Sequence, residues 1–288
     1  MSVNSVPARR PLRKLAARLA AAVAAAAAAG AAAATLGLTP ASAATAPTGN
    51  WVMTGWNIHQ LNQLSPALAS HFFNTPRAYA TGPNTGASPV ADGFATAGVL
   101  VYNSYAQFAA DLAAGAIAPS YTWVMYDPEY WAATPPNEQQ NPAQYLQEFG
   151  QLAHANGLKV IEAPGRDLAL VPGAACPAAR GETLDHWYLR CNIPAAAAAD
   201  ADMVVVQDQV HTTSPAAFDA LYTATRAAAQ AANPAITVDA EVSTTYGTAA
   251  QMATAAKSAH ADGIYINATT GALGKTKSFL HLMQTAGY

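Results

Sequence analysis

The chain has 288 residues, with 14 Lys+Arg, 17 Asp+Glu and two cysteines. Five of the basic residues (Arg9, Arg10, Arg13, Lys14, Arg18) and none of the acids lie before Ala44, so the remainder carries nine basic against 17 acidic residues, a formal charge of −8. An acidic chain without basic clusters is excluded as a binder of nucleic acid or of an anionic membrane surface, which leaves small polar molecules and neutral polymers as partners.

The first 43 residues read as a secretion signal. The basic residues form its n-region, the Ala-rich run from Leu19 to Leu38 its apolar core, and Ala41-Ser42-Ala43 a small-x-small cleavage site. The run is long enough to span a bilayer. However, alanine is only weakly apolar and no basic stop-transfer cluster follows, so cleavage and release to the extracellular side are expected, with no membrane attachment afterwards. Residues 44–288 are long enough for one large domain with a well-buried core. Cys176 and Cys191 are 15 positions apart. In an exported chain such a pair predicts a disulfide, worth about 3 kcal/mol on the chain-entropy model.

Beyond the signal, short runs rich in Val, Ile, Tyr and Trp alternate with longer Ala-rich segments of helical spacing. Strands are expected at 51–56 or 77–81, then at 99–103, 123–127, 159–163, 203–209, 237–243 and 264–267. Helices are expected at about 105–114, 142–156, 215–232, 248–261 and 276–285, with Ala195–Ala199 in a further short one. Asn141-Pro142 and Ser214-Pro215 read as helix starts, and Gly157 and Asn233-Pro234 as helix ends. Strands separated by helices imply parallel βα units. The number of strands in a chain of this size predicts an α/β fold, a single-domain (β/α)8 TIM-type barrel, with an open doubly wound sheet as the alternative. No Gly-rich phosphate loop follows a first strand, and no cofactor is expected.

Successive strand side chains point to opposite faces. In a barrel the outer face meets helices, and the inner face becomes the floor of a site near the strands' C-terminal ends. Alternation then assigns polar residues inward from five strands: Asp127, followed by Glu129, on the 123–127 strand; Glu162, if Ile161 and Ala163 face out; Gln207 and Gln209; Asp239, Glu241 and Ser243; and Tyr265 with Asn267. Unpaired polar groups inside a barrel cost about 1–3 kcal/mol each, so polar residues on five strands predict a solvated pocket at the C-terminal mouth. Asp239 and Glu162 lie earlier in their strands. For these two, a structural network with Lys159, Arg166 or Gln side chains is an equal alternative.

Carboxylates around an open pocket beside aromatic residues suit glycoside hydrolysis. Glu129 is expected as the general acid and Glu241 or Asp127 as the partner carboxylate. Tyr126, Tyr130, Trp131 and Tyr265 would stack on sugar faces, and Gln207, Gln209 and Asn267 would bond hydroxyls. A metal-dependent hydrolase built on His211, Asp127 and Asp208 is a minor alternative, against which Asp208 falls on the wrong strand face. A barrel that binds a saccharide or other small polar ligand without turnover is the main rival from another class. A monomer is expected.

Asp127-Pro128-Glu129 at a strand end resembles the D-x-E motifs of several (β/α)8 glycoside hydrolases, including the chitinase-like group. The wider pattern of Tyr126-Asp127-Pro128-Glu129, Thr134-Pro135, Glu138-Gln139 and Gln207-x-Gln209 resembles secreted actinobacterial proteins with such barrels, over most of residues 44–288. The resemblance implies the fold more than an activity. The longer D-x-x-D-x-D-x-E signature is incomplete, with Thr122 and Met125 at its first two acidic positions, so substrate-assisted chitinase chemistry is not implied.

Overall fold

The protein is described by a computed structural model covering residues 48–83, 93–269 and 271–288. The segment read as a signal peptide, 1–43, lies outside the described residues. Eight strands form a closed parallel barrel in sequence order: β1 (Asn50–Thr54), β2 (Ala78–Gly82), β3 (Ala97–Tyr102), β4 (Trp123–Tyr126), β5 (Lys159–Glu162), β6 (Met203–Val206), β7 (Thr237–Ser243) and β8 (Gly263–Asn267). Both N-terminal segments that competed for the first strand are strands, neighbours in the barrel with Trp51 beside Ala78. Closure is made by β8 against β1, where Asn50 pairs with Gly263 and Val52 with Tyr265.

The helices are α1 (Gly55–Leu64), α2 (Pro66–Phe73), α3 (Tyr105–Ala113), α4 (Pro136–Gln140), α5 (Pro142–Ala155), α6 (Leu184–Arg190), α7 (Ile193–Ala199), α8 (Pro215–Ala232), α9 (Ala249–Ala259) and α10 (Leu273–Thr285). Among the described residues, no helix is long and apolar enough to cross a membrane. Asn141 and Ser214 precede their helices as expected, yet neither side chain caps; Pro142 and Pro215 open α5 and α8 by fixing the backbone in the helical range. Thr248 does cap α9, in a reciprocal box with Gln251.

Strand alternation divides the apolar residues into two layers. Val52, Tyr79, Val99, Met125, Ile161, Ala163, Met203 and Val205 fill the barrel. The alternate residues, among them Trp51, Val124, Tyr126, Val160, Val204, Val238 and Ile264, pack outward against the helices. At the end of the barrel where the strands begin, Trp123 stands edge-on to Tyr79, ring centroids 5.0 Å apart, and the Lys159 ammonium lies 5.2 Å from the Trp123 ring. Outside, Tyr126 stacks on Phe149 at 4.8 Å.

This layering corrects two site assignments. Glu162 does not face the barrel interior. The β4–β5 register pairs it with Tyr126 and pairs Ile161 with Met125, so Ile161 and Ala163 point inward and Glu162 outward. Tyr126 is next to Asp127 in the chain and so takes the opposite face. Its ring is fully buried and its hydroxyl donates to Glu138 Oε2 at 2.8 Å. Glu138 in turn accepts from the backbone N–H of Tyr105 (2.7 Å) and Ala106 (3.0 Å) and from the Ser104 hydroxyl (3.1 Å), tying the loop after β4 to the first turn of α3.

Cys176 and Cys191 form the expected disulfide, with Cα atoms 6.0 Å apart. It closes the excursion between β5 and α7, where Arg190 also bonds Glu182 and the Pro177 carbonyl. Cys191→Ser should lower unfolding free energy by about 3 kcal/mol in chemical denaturation; an unchanged midpoint would contradict this role.

Glu162 is sealed behind the barrel with neither oxygen bonded, and burial, aided by Asp200, holds its carboxyl well above the usual range. A raised folded pKa means that the native state keeps a proton the unfolded chain releases, so stability falls as pH climbs from the ordinary carboxylate range. Asp239, pushed to about 7, acts in the same sense. Calorimetry should therefore show a higher Tm near about pH 5 than near about pH 8. Glu162→Gln should raise Tm at the higher pH and flatten the dependence. A Tm that increases towards alkaline pH would contradict this.

Candidate functional site

The inward polar residues of β4, β6, β7 and β8 do converge at the mouth formed by the strands' C-terminal ends. Asp127 and Glu129 follow β4, and Gln207 follows β6. The Gln207 amide nitrogen donates to Asp127 Oδ1 at 2.8 Å, reaches Glu129 Oε1 at 3.2 Å, and donates to the Ala163 carbonyl at 2.8 Å. An amide nitrogen has two hydrogens. With one directed at the Ala163 carbonyl, Asp127 and Glu129 share the other.

Glu241, late in β7, is 2% exposed and accepts from Asn267 Nδ2 at 2.8 Å. The β7–β8 register places Tyr265 beside Glu241 and Asn267 beside Ser243. Tyr265 is half-buried, and Asn267 stands exposed at the rim. Burial is the largest influence on the Tyr265 phenol and raises its pKa, with Glu241 and Asp127 adding to it.

The carboxylates perturb one another. Burial first, then the charges of Glu129 and Glu241, hold Asp127 well above the normal range, against the Gln207 hydrogen bond. Burial and Asp167 raise Glu129, with the Gln207 bond opposing. Burial pushes Glu241 up to about 8; the Asn267 bond and Arg166 oppose the shift and Glu129 adds to it. At neutral pH the mouth thus holds a protonated carboxyl, Glu241, beside a second, half-buried acid, Glu129, a pairing that suits acid–base chemistry.

Four further contributors follow strands β5 and β6: Gly165 and Asp167, which the sequence did not single out, Arg166, expected only as a partner for buried acids, and Asp208, expected only in the metal alternative. Asp167 sits in the 3-10 turn Arg166–Leu170 and faces Glu129. Gly165 makes room for both: a Cβ there would lie 2.5 Å from Asp167 Oδ1 and 2.9 Å from Glu129 Cγ. Arg166 is buried, donates through Nε to the Gln207 carbonyl at 3.1 Å and pairs with Asp185. Asp208 is fully buried and lifted to about 8, chiefly by burial. Each lies within five residues of a strand's C-terminal end, the signal that would have found Gly165 and Asp167.

The remaining expected residues are placed as follows. Asp239 sits low in the barrel, fully buried, with Asn50 donating to it at 3.2 Å, and Gly263 leaves space for its carboxylate. It belongs to the barrel floor and not to the mouth, with Asn50 as partner where Lys159 or Arg166 had been the candidates. Gln209 opens the 3-10 turn Gln209–His211, and its side-chain oxygen is buried without a partner. Trp131 is exposed beside Glu129. His211 bonds Asp208 Oδ1 through Nδ1 at 2.6 Å and approaches Asp185 at 3.4 Å, away from Asp127. Among the described residues, no three His, Cys, Asp or Glu side chains are grouped to hold a metal ion.

No protein-family model matches the chain, and no curated protein matches it. Among solved structures it is similar to the Amycolatopsis orientalis BexX/CysO complex, with 12% identity and a TM-score of 0.45 over 84% of this chain and 89% of that one. It is also similar to the carboxyl transferase domain of Rhizobium etli pyruvate carboxylase, with 11% identity and a TM-score of 0.45 over 83% of this chain. The match covers 46% of the Rhizobium chain.

Gly165→Ala should force Asp167 and Glu129 apart and cost about 1–3 kcal/mol of stability, read by urea denaturation. A variant as stable as the parent, with both carboxylates unmoved in its crystal structure, would contradict the close packing.

Proposed function

We propose that the protein is a secreted glycoside-hydrolase-like enzyme acting on an extracellular saccharide by carboxylate acid–base chemistry. The observation that carries this is the meeting of Asp127, Glu129 and Glu241 at one mouth, with a hydrogen-bond donor from the end of another strand on each. Electrostatics favours an exchange of the roles expected from sequence. Glu241, raised to about 8, is the group that still holds a proton at neutral pH and would deliver it to the glycosidic oxygen. Glu129, half-buried and next to the rim, would be the carboxylate that activates water or attacks the anomeric carbon. Asp127, whose carboxyl is raised well above the usual range by burial first and then by Glu129, would bond a sugar hydroxyl. Tyr265 and Asn267 would line the sugar on the β8 side. No cofactor enters this scheme. Export is supported by the signal-like first 43 residues and by the Cys176–Cys191 disulfide, which suits an oxidising compartment.

A non-catalytic saccharide-binding barrel is the rival, since a set of protonated carboxyls also serves as a hydroxyl-binding surface. Reducing-end release from a panel of plant, fungal and bacterial glycans separates the two. Turnover by the wild type, abolished in both Glu129→Gln and Glu241→Gln without loss of folding, is the expected result. Binding without release would establish the rival. The pH profile of kcat/KM should fall above about 8 as Glu241 ionises. Because the Asn267 bond favours the ionised form, Asn267→Ala should move that limb to higher pH; a limb that stays or moves down would remove Glu241 from the acid role.

A further inference from the structure

A cleft of about 500 Å³ opens beside the mouth, lined by Val101, Asn103, Ser104, Ala106, Gln107 and Ala133. This volume lies within the range of small-ligand sites, about 300–1,000 Å³. The cleft is tied to the loop that carries the carboxylates. Val101 is the last inward-facing residue of β3, and Asn103 donates from its side chain to the Asp127 carbonyl at 2.8 Å. Ala133 belongs to the same loop as Glu129. Its polar lining consists of two amides and a hydroxyl, with no charged side chain.

Trp131 lies on the loop that carries both Glu129 and Ala133. Its side chain is 45% exposed, yet its indole N–H donates to Thr134 Oγ1 at 3.1 Å, its carbonyl accepts from Gln139 at 2.6 Å, and its backbone N–H donates to the Glu129 carbonyl at 2.9 Å. An exposed indole held by one hydrogen bond, on a backbone fixed by two more, has already lost part of the freedom that binding would otherwise remove. It offers a flat apolar face next to Glu129, as stacking on a sugar ring demands. Among the described residues, six of the eight large exposed apolar side chains follow strand ends at this mouth: Trp56, Tyr130, Trp131, Leu170, Val210 and Tyr246. They are spread over the segments that follow β1, β4, β5, β6 and β7 and do not belong to a single one.

We infer that the β3–β4 cleft is a second sugar subsite and that the substrate is a neutral oligosaccharide or polysaccharide that extends from the carboxylates along the Glu129–Ala133 loop, with Trp131 as a stacking face, into it. This rests on the saccharide reading of the mouth. The uncharged amide and hydroxyl lining matches sugar hydroxyls and offers nothing to a uronate or a sulfated unit, which the acidic mouth would repel.

Calorimetric binding of β-1,4-linked oligomers of glucose, xylose, mannose and N-acetylglucosamine, from monomer to hexamer, tests it. For at least one series, wild-type affinity should climb about tenfold or more between monomer and tetramer. Ala133→Trp, at an exposed position, should block the cleft and abolish that gain while leaving Tm and monomer affinity unchanged. Trp131→Ala should weaken tetramer binding by about tenfold. Affinity independent of length, or a length dependence untouched by Ala133→Trp, would overturn the subsite. Length-dependent binding without release of reducing ends would keep the subsite and remove the hydrolase reading. Failure of every series to bind would remove both.

Discussion

The Gln207 carboxamide holds the mouth of the barrel together. From the end of β6 it reaches the Ala163 carbonyl after β5 and both carboxylates after β4, so one side chain spans three strand ends. Its own backbone carbonyl is fixed by the buried Arg166. Without it, Asp127 and Glu129 would face each other with no shared donor in a site that already penalises charge. Hydrogen bonds to carboxylates are worth more than those between neutral groups, and more still where water is excluded. The positions of the two acids, and the competition between them for a single hydrogen, follow from this contact.

Strand alternation decides which residues reach that mouth, and it was legible where polar and aliphatic residues truly alternate. Thr237–Ser243 reads as two faces at once, because Val238, Ala240 and Val242 separate Asp239 from Glu241 and Glu241 from Ser243. Gly263–Asn267 does the same for Tyr265 and Asn267. In β5, Val160, Ile161 and Ala163 supply aliphatic residues to both faces, so period two carries no direction there. The register with β4 fixes it instead, and Glu162 falls behind the barrel. Tyr126 shows the complementary error: a residue adjacent to Asp127 in an extended strand cannot share its face.

The loops were legible only in part. Glu129 announces itself through its spacing from Asp127, whereas the Glu129 side chain is set by Gly165 and Asp167 on the next loop, a contact that no local pattern encodes. The cleft beside β3 is likewise assembled from two loops that meet only in the closed barrel. Helix starts and ends were readable from proline and glycine, because these act through the backbone alone. By contrast, Asn141 and Ser214 do not bond as caps, since the proline that follows already sets the turn.

The proposed chemistry depends on the acids of the mouth acting as one electrostatic unit, with burial and the charge of Glu129 keeping a proton on Glu241 at neutral pH. Carbon-13 NMR of protein labelled at the Asp and Glu carboxyl carbons measures this directly. The account predicts that Glu241 titrates near about 8 and that Glu129→Gln moves both Glu241 and Asp127 to lower pH. Carboxyls that titrate in the ordinary acidic range and keep their values in that variant would contradict it.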